Sequence, residues 1–327
     1  MLQPLWLDYL QRVAWAPPSG QTAHDHEEVG MGLRVNPTQR QRRLGSELRR
    51  LRNERGLSAA EAGAFAALGS PHLGHIEAGR TAIPEVKLRA LLAGYGCQDE
   101  SFSDALVAMS ESKGKGWWSD YRKSPLSRSA HDLAELEATS VAHYSFQWMY
   151  VPGVLQTPEY ARALTAGGEP EADPSLLDTY VEFRLKRQEV LAGESPPTFH
   201  AVIHEAAFHM QFVENGVMRR QIEHLVELAR LPHVHIQLLP FKAALSPATP
   251  AAAFILFEAE VPELNTVYVE HPVSSAFLGD QAHLAQYGTA FERLTTAALS
   301  PIDPAPERES YMRSDSLRLV QHLLYTL

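Results

Sequence analysis

Two histidine–carboxylate dipeptides close runs of strand-forming residues: His204 and Glu205 follow "TFHAVI", and Glu270 and His271 end "TVYVEH". An imidazole and a carboxylate can move protons if both converge on one substrate within hydrogen-bond reach. His204, Glu205 and Glu270 are therefore the candidate acid–base groups. The segment "HYSFQWMYVPG" concentrates aromatic side chains, and Tyr144, Phe146, Trp148 and Tyr150 are candidate pocket-lining residues with His204 and Glu205 as polar anchors. A third set sits on short predicted helices near the N-terminus. Arg49, Arg50, Arg55, Ser58, Ser70, His72, His75 and Arg80 are of the types that donate to phosphate oxygens or base edges.

Other chemistries lack their signatures. No GxSxG, P-loop or dinucleotide fingerprint occurs, so no cofactor is expected. Cys97 is the single cysteine, which precludes an intrachain disulfide and a cysteine-based zinc site, and the 15 histidines include no HExxH pattern. His233 and His235 alternate on one side of a predicted strand but need a third ligand from elsewhere, so no metal site is assigned.

The elements that must position these groups follow from periodicity. In "RLGSELRRLRNERG", Leu44, Leu48 and Leu51 recur at helical spacing before Gly56. Ser58 with Glu61 three positions later is a capping box that opens a second helix. A tight turn through Leu68 and Gly69 leads to a third helix, "GSPHLGHIEAGR", with Leu73 and Ile76 facing inward and a stop near Gly79. Helix, short turn, helix is the helix-turn-helix arrangement. Further helices over Pro84–Leu92 and Ser101–Ser110 complete this unit. Beyond it, helical and strand-like stretches are mixed: helices begin at His131, Thr157 and Ser175, and "TFHAVI", "HVHIQLLP", "AAFILFE" and "TVYVEH" read as strands. The expected fold class is an all-α helix-turn-helix head followed by a mixed α+β domain with a small sheet backed by helices.

Charge divides the chain in the same way. The 327 residues carry a formal net charge of -10, yet Met31–Tyr95 holds eleven basic and five acidic residues. A basic head on an acidic body fits a DNA-contacting unit whose companion stays off the phosphate backbone. The apolar N-terminal stretch is interrupted by Asp8 and Arg12 and does not read as a signal peptide; a short amphipathic helix is expected, or a segment upstream of a natural start at Met31. Nothing in the sequence reads as a membrane span, and the expected location is cytoplasmic. Expected divisions are an N-terminal extension over 1–30, the head over 40–96, a helical linker with Trp117 and Trp118 over 97–130, the body over 131–300 and a partly helical extension over 301–327.

The run "LRRLRNERGLS" followed by "LGSPHLGHIEAGR" resembles the Cro/repressor-like (XRE) helix-turn-helix family. The marks "GWWSDYR", "YVPGVLQTPEYARAL", "RLKRQEVL", "VHIQLLPF" and "VYVEH", in that order, extend the resemblance to actinobacterial regulators that join such a head to a DUF5753 domain. The resemblance implies a homodimer on double-stranded DNA and a body that binds a small molecule or a small neighbouring DUF397-like protein. It also exposes departures. Ala59 stands where a Gln is usual, and Ser70, Pro71, His72, Gly74 and His75 replace the usual Ser, Gln, Lys, Thr and Arg of a reading face. No guanidinium or side-chain amide precedes Arg80 there, so bidentate base reading is depleted. The alternative is a regulator-derived enzyme that converts a biosynthetic intermediate in the body's pocket, with DNA binding weakened or lost.

Overall fold

Reciprocal capping boxes set the starts of the first two helices: Thr38 with Gln41 opens α1 (Gln39–Glu54), and Ser58 with Glu61 opens α2 (Ala59–Ala64). α3 (Ser70–Glu77) follows with Pro71 in its first turn, then α4 (Glu85–Gly94) and α5 (Glu100–Glu111). The computed structural model describes residues 33–112, 114–244, 252–271, 275–304 and 315–327; the expected N-terminal helix lies outside them. Leu48, Leu73, Leu88, Leu91 and Leu106 are fully buried in one core shared by these five helices. Two glycines permit the close approach. A Cβ on Gly45 would lie 2.5 Å from the Glu77 carbonyl oxygen, and one on Gly63 would lie 2.3 Å from that of Leu68.

A short 3-10 turn, Trp117–Tyr121, leads to α6 (Arg128–Thr139), which Ser127 caps. Trp117 and Tyr121 pack edge-on or tilted against Phe183 at ring-centroid distances of 5.1 and 5.2 Å. The strands are β1 (Ala142–Gln147), β2 (Thr198–His204), β3 (Val234–Leu239), β4 (Phe254–Glu258), β5 (Thr266–Val269) and β6 (Ala276–Leu278). Between β1 and β2 lie α7 (Pro158–Gly168) and α8 (Pro174–Gln188). α9 (Asn215–Leu228) precedes β3, and α10 (Gln281–Ala297) and α11 (Ser316–Thr326) follow β6.

The strand order is β3-β2-β1-β4-β5-β6, with β3, β2 and β1 parallel and the remaining neighbours antiparallel. Alternation gives the sheet two distinct faces. Phe146, Val202, Phe254 and Val267 face α10 with its Phe291 and Leu294. On the opposite face, Phe199, Ala201, Ile203, Ile236 and Leu238 pack with α9 and α11, and Phe257 and Tyr268 pack with Leu133 of α6. The architecture is thus an all-helical N-terminal region followed by a mixed α+β region with a small sheet among helices. Residues 34–327 form one packed unit, and Val261 and Leu264, between β4 and β5, join the core of the helical head.

Candidate functional site

α3 presents Pro71 and His72 as exposed residues and His75 as half-buried, while Leu73, Ile76 and Glu77 are buried. Ser70 begins the helix and Arg80 is exposed just beyond its end. The charge of the head is mostly neutralised within the fold. Glu77 is buried and holds Arg52 at 2.6 Å and Arg49 at 3.3 Å. Arg50 bonds Glu47 and Glu54, Arg43 pairs with Glu47, and Arg89 pairs with Glu85 and Asp104. Arg55 donates to the carbonyls of Tyr95 and Gly96, and Arg34 to that of Gly79. Arg40 and Arg42 turn toward the body, as described below. Among the described residues, Arg80 and Lys87 are the head cations without such a partner. Ser58 is occupied as the cap of α2.

α6 lies between head and body, and its neighbouring residues point both ways. Toward the head, Glu135 accepts from Arg40 at 2.6 Å and Asp132 accepts from Arg42 at 3.3 Å. Burial raises the Asp132 pKa, with the Gln39 backbone and Arg42 opposing. Toward the body, Glu137 takes two bonds of 2.7 Å from Nε and Nη2 of Arg187 on α8. The Glu137 carbonyl accepts from Nε2 of the buried His143 at 3.1 Å.

Below α6 and α8 the sheet leaves a cavity of about 70 Å³. Its origin is legible in the register. Ser145, Ile255 and Tyr268 stand side by side on β1, β4 and β5, and two residues farther along each strand come Gln147, Ala253 and Glu270. Ala253 is short, so the space between the two polar side chains is not filled. Arg184 and Arg187 of α8 enter the same cavity. Arg184 donates to Gln156 Oε1, a neutral acceptor, at 3.1 Å. Burial, reinforced by Arg187, pushes Arg184 down to about 10 against the opposing pull of Glu270 and Glu137. Glu270 lines the cavity without an ion-pair or hydrogen-bond partner among the described residues.

The other residues singled out in the sequence are dispersed. Phe146 is buried against Phe254, and Tyr144 packs on Phe291 with its hydroxyl donating to Glu258 at 3.1 Å. Trp148 and Tyr150 lie past the end of β1, both exposed, and the Tyr150 ring meets Phe212. His204 accepts from the Ala206 amide at 3.1 Å and stacks edge-on with Phe241, while Glu205 accepts from the Phe241 amide at 2.8 Å. Burial lowers the His204 pKa, and Glu205 opposes the shift. Glu270 follows β5, three inter-strand intervals from β2, or about 14 Å from the His204 position. His204 and Glu205 are thus brought together at one turn, and Glu270 is placed with arginines instead. Among the described residues no cluster of three potential metal ligands occurs.

Sequence reasoning missed Arg184, Arg187, Glu137, Gln156 and Gln147. One signal was present: Arg184 and Arg187 stand at i and i+3 in "RLKRQEVL", on one side of a helix.

A helix-turn-helix domain matches residues 43–104, an arrangement that binds DNA. The family described as Domain of unknown function (DUF5753) matches residues 130–305. No curated protein and no solved structure matches the chain. Among the described residues, no helix is long and apolar enough to cross a membrane. With more than half of its length inside that match, the chain belongs to the DUF5753 family and carries a helix-turn-helix domain ahead of it.

Proposed function

We propose that this protein is a cytoplasmic, DNA-binding transcriptional regulator of the Cro/repressor type whose C-terminal domain senses a small molecule. The observation that carries the reading is the position of α6. Asp132 and Glu135 hold arginines of the head, while Leu133 lines the body's cavity and Glu137 holds a cavity arginine. A helix bonded at both ends of that path moves the head when the cavity changes shape, which is the differential contact a ligand-driven switch requires. Two heads in a homodimer would read half-sites about 34 Å apart. Base reading would come from His72, His75 and Arg80, with Ser70 near a phosphate.

Salt dependence tests the DNA-binding step. If Arg80, Lys87 and the half-exposed Arg49 are the phosphate contacts, each head neutralises two or three phosphates, and log K falls with log salt at a slope of roughly -2 to -3 per head. Titration of duplexes selected from a random library, measured by fluorescence anisotropy over a salt series, gives the slope. No saturable binding of any duplex, or equal binding of selected and unrelated duplexes, overturns the reading as a specific regulator.

A further inference from the structure

The cavity holds two opposite charges apart. Arg184 has a neutral hydrogen-bond partner in Gln156, and Glu270 has no ion-pair partner among the described residues, although both line the same space. The Arg184 guanidinium is the one withdrawn from water, where a charge is costly unless something pairs it, while Glu270 stands exposed at the rim of the cavity. Arg187 does not supply the pairing, because its Nε and Nη2 are committed to Glu137. Gln147 adds an amide with a donor and an acceptor and no hydrogen-bond partner among the described residues. The volume of about 70 Å³ exceeds one water, which needs roughly 10–15 Å³. It holds a molecule of roughly five or six non-hydrogen atoms.

We propose that this cavity binds a small zwitterionic carboxylate of the amino-acid class, with its carboxylate on Arg184 and its ammonium toward Glu270. A guanidinium is the side chain best suited to a planar carboxylate, through two parallel bonds. A simple anion satisfies Arg184 but faces the Glu270 carboxylate, and a simple amine satisfies Glu270 but faces two guanidinium groups. A zwitterion satisfies both. Ala253 sets the size limit, since any larger side chain there fills the space between Gln147 and Glu270. This site names the ligand class for the sensor proposed above; its binding step stands without that reading and only its effect on DNA rests on it.

The full chain is titrated with glycine, L-alanine, β-alanine, acetate and methylammonium by calorimetry and ligand-observed NMR. Saturable binding of at least one amino acid, with acetate weaker and methylammonium weakest, is expected. Glu270→Gln keeps shape and removes one charge, and it should weaken the amino acid by roughly tenfold or more while leaving acetate no weaker. Arg184→Gln should abolish binding of both, with circular dichroism confirming the fold. If Arg184→Gln does not fold, Glu270→Gln alone decides through the ratio of amino acid to acetate affinity. Absence of saturable amino-acid binding up to about 50 mM, or an unchanged ratio in Glu270→Gln, overturns the proposal. A bound amino acid that leaves affinity for the selected duplex unchanged overturns the sensor reading and leaves the binding site standing.

Discussion

Removing the carboxylate that clamps Arg187 should be among the most damaging single substitutions in the body. Glu137 and Arg187 expose 4% and 12% of their side chains and share two bonds of 2.7 Å. Glu137→Gln keeps the volume but leaves a buried guanidinium without a counter-charge, which costs about 3–5 kcal/mol. For a chain of this size that lowers Tm by roughly 6–20 °C. The pairwise nature of the effect is testable by also replacing the partner. Glu137→Gln combined with Arg187→Met removes the stranded charge and should recover most of the loss, because an apolar side chain of similar length has no desolvation cost. Urea unfolding followed by circular dichroism gives the free energies, with Asp178→Asn as control. Asp178 pairs with Arg162 in the open, both side chains being more than half exposed, so its loss should cost below about 1 kcal/mol. A Glu137→Gln cost no greater than the control's, or a double variant weaker than the single one, would refute the argument that burial makes this pair indispensable once formed.

Burial pushes His143 down to about 4, well below the ordinary histidine value of 6.5. The unfolded chain therefore binds this proton more tightly than the folded one, so the contribution is intact above pH 6.5 and is lost as pH falls toward 4. About 2 kcal/mol should disappear between pH 7 and pH 5, and the urea midpoints of the wild type should fall more steeply than those of His143→Gln; parallel curves would reject the assignment. Gly63→Ala drives a Cβ to 2.3 Å from the Leu68 carbonyl oxygen and should destabilise the head by about 1–3 kcal/mol. Gly74→Ala meets nothing within 4 Å inside α3 and should instead stabilise by up to ~1 kcal/mol, both read from thermal unfolding.

Much of the local structure was legible in the order of residues. The Ser58–Glu61 capping box, the Thr157 start of α7 and the alternation of "HVHIQLLP" and "AAFILFE" each appear as the elements they suggest. These signals are local: a cap bonds three residues away, and a strand shows its period within six. β6 gave no such signal, being three residues long and made by pairing with β5. The basic character of the head was equally plain, yet its meaning was not. Eleven cations in sequence suggested a phosphate-binding surface, but the fold places Glu77, Asp132 and Glu135 against four of them.

The sequence by itself determined where helices and strands begin, which of their sides are apolar, and that a helix-turn-helix head precedes an α+β body. Only the tertiary structure decided that Gln147, Arg184 and Glu270 share one cavity and that α6 joins that cavity to the head. The reason is physical. Caps and periodicities are satisfied within a few residues, whereas a buried charge is satisfied by whichever group the packing delivers. Residue 184 and residue 270 line one cavity because β1, β4 and β5 align in register beneath α8, a relation that no neighbouring residue encodes.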